Sequence, residues 1–310
     1  MAKAPRYDGL TPETTPADAA GAILEPLLAA ALREAPAVLR EQDVRATHDM
    51  RVALRRLRSA LETFAACFPA KRVKAQARAL RRLARRLGEV RDADVHLAEL
   101  RAALAGATAT ETTGIAYAIE TLVAARRAAL ARFAIELSQF DRAIPLGAAA
   151  GSSKSASSLR AFSRHAIRKR LRKAQHSGKA AFPKGSATEL HALRKDLKNL
   201  RYNLEFFNTL FGSAGSEALD LLGGVQERLG TIADADAFAA TYAGLLAGLG
   251  LEDARRPGLA ACRSAARARR QKALAGLRRL WSGDDSDSYP GRLAASISSA
   301  LGSLSPKPEA

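Results

Sequence analysis

The chain has 310 residues, of which 47% are hydrophobic, so it can bury a substantial core and is not a disordered tail. Lys and Arg outnumber Asp and Glu by 49 to 31, a net charge of +18 with a pI near 10.6, which selects polyanions as partners: nucleic acid, an anionic membrane face or a phosphate polymer. Two cysteines, Cys67 and Cys262, lie far apart in apolar surroundings, which excludes a disulfide framework and zinc spacing and suits two buried thiols.

Ala and Leu dominate, and no stretch alternates apolar and polar residues as a half-buried strand does, so the expectation is all-α. Residues 1–15 read as a flexible N-terminus without the apolar core of a signal peptide. Thr15 is a candidate cap for a helix opening at Pro16. A second helix is expected through His48 to Phe68, ending at Pro69. A third should run from about Lys71 to Ala105, with a bend near Gly88, and a fourth from about Gly114 to Leu137. The Gly/Ser-rich stretch 146–158 reads as a linker between a first unit, 16–145, and a second, 159–282. Residues 283–310 read as a flexible tail with room for a short helix around Leu293 to Leu301. No apolar run reaches membrane-spanning length. The setting expected from all this is cytoplasmic and reducing.

The two units repeat each other. HDMRVALRRLRSALETF from His48 recurs as HALRKDLKNLRYNLEFF from His191, RLGEVRDADVHL from Arg86 as RLGTIADADAFA from Arg228, and AALARF from Ala128 as KALAGL from Lys272. Three matches in one order at offsets of 143, 142 and 144 indicate an internal duplication. Two four-helix bundles related by a pseudo-two-fold are therefore expected.

The His48 helix carries two stripes. Met50, Leu54, Leu57, Leu61, Phe64 and Phe68 step by three and four and should face a core. His48, Arg51, Arg55, Arg58 and Glu62 step the same way one residue on, about 100° round the axis. The second copy has Leu193, Leu197, Leu200, Leu204, Phe207 and Phe211, beside His191, Arg194, Lys198, Arg201 and Glu205. A solvated face is the bland reading of such a row, and Arg58–Glu62 and Arg201–Glu205 pairs at i,i+4 fit it. Like charges at this spacing cost about 0.2–0.5 kcal/mol a pair, and no residue of the helix neutralises Arg51 and Arg55. Retention of the row in both copies, while off-row Arg56 became Asn199, favours a polyanion site. Arg78, Arg82 and Arg85 form a further basic row, and Arg86 matches Arg228. The helix opening the second unit, RHAIRKRLRKAQHSGKAAFPK, is basic nearly all round; its counterpart around AILEPLLAAAL is almost uncharged. The pairs Asp92/Asp94 and Asp234/Asp236 suit a divalent metal or, the favoured alternative, counter-ions that orient arginines.

These motifs, HxMRVxxRRLRxxLxxF followed by LGxxRDxDV, and LHxLRKxxKxLRYxLEFF in the second unit, resemble the CHAD domain, the conserved histidine α-helical domain, over about residues 16–282. Ala233 stands where that family often has a polar residue. The resemblance implies two four-helix bundles about a basic central groove or pore, and association with inorganic polyphosphate and its granules in the cytoplasm, alongside granule-associated proteins. It carries over to His48, Arg51, Arg55, Arg58, His191, Arg194, Lys198 and Arg201. The neighbouring cations Arg56, Arg82, Arg85, Arg86, Lys195 and Arg228 complete the candidate polyphosphate-binding set. No metal, cofactor or catalytic residue is expected: GxxxxGK[ST], HExxH and the ExExK strand of a CYTH triphosphatase are all missing. The competing function is nonspecific nucleic-acid binding. The charge supports it, whereas aromatic residues, 5% of the chain, are few for base stacking, with Tyr202 the main candidate.

Overall fold

The computed structural model describes residues 7–40, 43–141, 158–211, 214–282 and 288–304. Among them every regular element is helical: α1 (Pro16–Leu39), α2 (Val44–Thr63), α3 (Ala70–Ala105), α4 (Ala109–Ser138), α5 (Leu159–Lys184), α6 (Ala187–Phe206), α7 (Asn208–Phe211), α8 (Ala214–Ala247), α9 (Arg256–Trp281) and α10 (Tyr289–Gly302). The long helices pack as neighbours in chain order, α1 on α2, α3 on α4, α5 on α6 and α8 on α9. Between the units, α2 meets α6 and α4 meets α9.

The ends of the helices follow local chemistry. Asp18 N donates to Thr15 Oγ1 at 3.2 Å, with Pro at the first turn, as expected for α1. Asp43 caps α2 by accepting from Arg45 N at 2.7 Å, so the helix opens four residues before His48. It ends at Thr63, before the expected Phe68, and a 3-10 turn over Ala65–Cys67 leads to Pro69. Capping boxes start α4 at Thr108 and α6 at Ser186.

Both apolar stripes read from the sequence are buried throughout, from Met50 to Phe68 and from Leu193 to Phe211. They share one continuous core that crosses between the units, with Phe64 lying 6.0 Å from Phe207 edge-to-face. A smaller core joins the far ends of α3, α4, α8 and α9, where the His96 ring stacks on Phe238 at 4.1 Å. Cys67 and Cys262 are both buried and free.

Two expectations need correction. The N-terminal stretch is not loose over its described part: Tyr7 is buried against the edge of Phe206, and Leu159 N and Arg160 N donate to Thr14 O and Pro12 O. The tail is not loose over its described part either: the short helix expected around Leu293 to Leu301 forms as α10, packs on α8, buries Tyr289, Leu293 and Ile297, and places Tyr289 beside Trp281. The third helix runs as α3 from Ala70 to Ala105, through Gly88, over the expected span. The linker reading of 146–158 lies, apart from Ser158, outside the described residues.

Candidate phosphate-binding site

A cavity of about 480 Å³ lies between α2, α3 and α6. Its floor is apolar, from Leu61, Ala65, Val73 and Ala77. Its walls carry Arg55 and Arg58 from α2, Arg81 from α3, and His191, Arg194, Lys195 and Lys198 from α6. Most of these cations stand on the two stripes read from the sequence. Because the core stripe of each helix is fixed by packing, the row about 100° further round must face the gap between them.

Arg51 lies at the edge of this group and is reached by Asp92 Oδ1 at 3.3 Å. Gly88 makes that placement feasible: a Cβ there would stand 2.5 Å from Arg51 Nη1. The repeat-related Gly230 also neighbours Arg194, but at 3.9 Å a Cβ there would fit, so the close approach of a guanidinium to the helix depends on glycine at Gly88 and not at Gly230.

Charge is concentrated and poorly compensated here. Burial pushes Lys198 down to about 6, and Arg55, Arg194 and Arg51 push the same way. Arg51 is pushed down to about 10 by burial and then Arg55, with Asp92 opposing. Arg194 is lowered by burial and Arg55, and its buried Nε has no hydrogen-bond partner among the described residues. Arg58 is lowered by burial and then by Arg81. His191 is lowered by burial and then Arg194, and His48 by burial and then Arg91. Asp234, beside Arg194 and Lys198, is raised by partial desolvation while those cations oppose the rise.

The remaining candidates go elsewhere. Arg56 is buried: its Nε donates to Glu205 Oε2 at 2.8 Å, and its guanidinium carbon lies 6.0 Å from the centre of the Tyr202 ring. Arg201 Nε donates to the other oxygen of Glu205 at 2.9 Å, the i,i+4 pair read from the sequence. Glu62 pairs instead with Arg170 of α5 at 3.0 Å, in place of Arg58. Arg82 reaches Glu136 on α4 at 2.8 Å, and Arg86 pairs with Glu89 at 3.1 Å. Arg85 is exposed on α3, and Arg228 is exposed with Nη1 near Gly276 of α9. Tyr202 borders the cavity yet is 8% exposed beneath Arg56, so it offers no open stacking face.

The four aspartates divide into two kinds. Asp92 and Asp234 face site cations. Asp94 accepts from Arg126 Nε at 2.6 Å, and Asp236 from Arg270 Nε at 2.6 Å, tying α3 to α4 and α8 to α9. Among the described residues no three His, Cys, Asp or Glu side chains assemble as a metal set.

Arg81 was not singled out in the sequence. It shares a helical face with Arg85, Gly88 and Asp92, in steps of four, three and four, and that register with Gly88 is the signal that identifies it.

The CHAD domain model matches residues 22–243, more than half of the chain. The chain belongs to the CHAD domain family. The CHAD domain crystal structure from the plant Ricinus communis is similar with a TM-score of 0.63 at 24% identity, covering 97% of each chain. PptA from Streptomyces chartreusis is similar with a TM-score of 0.62 at 19% identity, covering 86% of this chain and 99% of its own. At these identities the likeness concerns the fold. No curated protein matches the chain. Among the described residues no helix is long and apolar enough to cross a membrane.

Proposed function

We propose that this CHAD protein binds inorganic polyphosphate in the basic cavity between α2, α3 and α6, without catalysis, and thereby associates with polyphosphate granules. In this reading the two units are two helical bundles related by a pseudo-two-fold, and the cavity is part of a basic groove between them. Repeat-related contacts support the symmetry: Asp94–Arg126 with Asp236–Arg270, and Gly88–Arg51 with Gly230–Arg194. So does the stacking of His96 on its repeat counterpart Phe238.

One observation carries the functional reading. Arg55, Arg58, Arg194 and Lys198 converge on one cavity, and none has an ion-pair partner among the described residues. Holding unpaired guanidinium groups together, half-buried beside Lys198, opposes folding. An anionic polymer would relieve that cost with charge-assisted hydrogen bonds from guanidinium forks. A uniform phosphate chain requires cations at intervals and no base-reading group, and the cavity offers no open aromatic platform.

The test is competition at near-physiological salt. Labelled long-chain polyphosphate is bound, then challenged with short polyphosphate, duplex DNA and single-stranded RNA. Displacement by long polyphosphate alone at low concentration is the expected result. Equal displacement per phosphate by DNA or RNA would replace this reading with nonspecific nucleic-acid binding. Arg51, Arg55, Arg194 and Lys198 changed together to Ala should abolish binding with helicity intact; retained affinity would move the site elsewhere.

A further inference from the structure

The helix α5 contains no acidic residue, yet it carries five Arg, four Lys and two His. Its counterpart α1 packs on α2 as α5 packs on α6, with one Arg against Asp18, Glu25 and Glu34. The fold therefore does not require these cations, since the same packing role is filled without them.

Their placement is sided. Leu159, Ser163, Ile167, Arg170, Ala174, Ser177 and Ala181 form the buried face, with Arg170 reaching Glu62 on the cavity wall. Arg168 and Arg172 stand two residues either side of Arg170, and two residues turn a helix by about 200°. Both point away from the cavity. With His165, His176 and Lys179 they form an exposed row in steps of three and four, running about 21 Å at 1.5 Å per residue. Lys169 and Lys173 flank it, also exposed. At its upper end the row lines an open hollow bounded by Arg160 and Arg164, whose guanidinium groups are held by Glu13 and by Leu301 O. Arg168, Lys169, Arg172 and Lys173 have no ion-pair partner among the described residues.

We propose that this outer face of α5 is a second polyanion site that takes a separate segment of phosphate polymer, so that one protein molecule bridges two segments. The proposal rests on the polyphosphate reading of the cavity. Membrane insertion is disfavoured because the apolar face of α5 is spent on the core, leaving only cations outward. Base readers are disfavoured because the exposed row contains no aromatic residue but histidine. The cavity between α2, α3 and α6 and the row on the outer face of α5 share no lining residue, so one short oligomer cannot fill both. A long polymer with many equivalent segments is instead cross-linked by a bivalent binder.

The test uses the full chain and two variants, each checked by circular dichroism. The row variant combines Arg168→Ala, Arg172→Ala and Lys179→Ala. The cavity variant combines Arg51→Ala, Arg55→Ala, Arg194→Ala and Lys198→Ala. Short polyphosphate is titrated calorimetrically, and long polyphosphate is followed by light scattering at near-physiological salt. The wild type should show two binding events and growing scattering with long chains. The row variant should keep one event with affinity within about threefold and lose about tenfold in scattering. Two events and wild-type scattering in the row variant would remove α5 as a site and leave the cavity reading intact. Loss of all binding in the row variant, with wild-type binding in the cavity variant, would instead sink the cavity reading. Displacement of polyphosphate from the row by duplex DNA at equal phosphate concentration would make α5 a generic cationic surface and overturn the proposal.

Discussion

Arg56 and Glu205 join the two units through a buried ion pair, Nε to Oε2 at 2.8 Å, with both side chains almost out of water. Glu205 also accepts from Arg201 at 2.9 Å, so one carboxylate compensates two guanidinium groups. Such a pair adds little over a well-packed apolar replacement, but removing one partner leaves the other charged and dry. Glu205→Ala should therefore lower unfolding stability by about 3–5 kcal/mol. Chemical denaturation of Glu205→Ala, Arg56→Met and the double variant measures it. The double variant should be less destabilised than Glu205→Ala; additive losses would mean the pair does not act as a unit.

Gly114 and Gly258 set the approach of α4 to α9. A Cβ on Gly114 would stand 2.1 Å from Arg255 O, and one on Gly258 would stand 2.0 Å from Glu111 O. Both obstacles are backbone, so the helices must separate. Ala gains about 1 kcal/mol over Gly in helix propensity, a gain smaller than the clash. Either Gly→Ala change should be net destabilising by about 1–3 kcal/mol. At Gly21, where a Cβ meets nothing, the same change should be neutral or stabilising. Thermal melts of the three variants check the ordering.

His96 is buried against Phe238 and Tyr242, its Nε2 without a partner among the described residues, and burial lowers it to about 4. In the unfolded chain it returns to about 6.5. Between these values the unfolded state binds the extra proton, so stability falls as pH drops from 6.5 toward 4 and is flat above. His96→Phe copies the repeat-related residue and should remove this part of the acid sensitivity. Melting temperature against pH for both proteins is the readout; parallel curves would assign the acid sensitivity to other groups.

Much of this was legible in the residues themselves. The stripes from Met50 to Phe68 and Leu193 to Phe211 are periodic, and periodicity reports burial directly. The rows beside them inherit their direction from that packing, which is why Arg55, Arg58, Arg194 and Lys198 meet. Arg56 reads from the sequence as an adjoining site cation, because its partner Glu205 belongs to the other unit and no local pattern encodes that pairing. Arg81 is not singled out because cations cover about half the circumference of the first half of α3, so no narrow basic row marks it apart from its register with Gly88. The polar, Gly- and Pro-containing neighbourhood of Tyr7 reads as loose because its burial depends on Phe206, far away in sequence. The helix around Leu293 to Leu301 is legible, but its docking is not, because it packs mainly on α8.

Lys198 supplies the last prediction, and it links stability to binding. Its pKa is pushed down to about 6 by burial and by Arg55, Arg194 and Arg51, against about 10.4 for an unperturbed lysine. From pH 6 to 10 the unfolded state holds more protons, so stability rises with pH across that window and Lys198 costs stability at neutral pH. Lys198→Met should therefore stabilise the free protein at pH 7 while weakening polyphosphate binding. A bound polyanion favours the ammonium form, so binding at pH 7.5 should take up a proton. Calorimetry in buffers of different ionisation enthalpy measures that uptake. Lys198→Arg, charged in both states, should abolish it while retaining affinity. Equal uptake in the Arg variant would assign the proton to another group, such as His191 or His48.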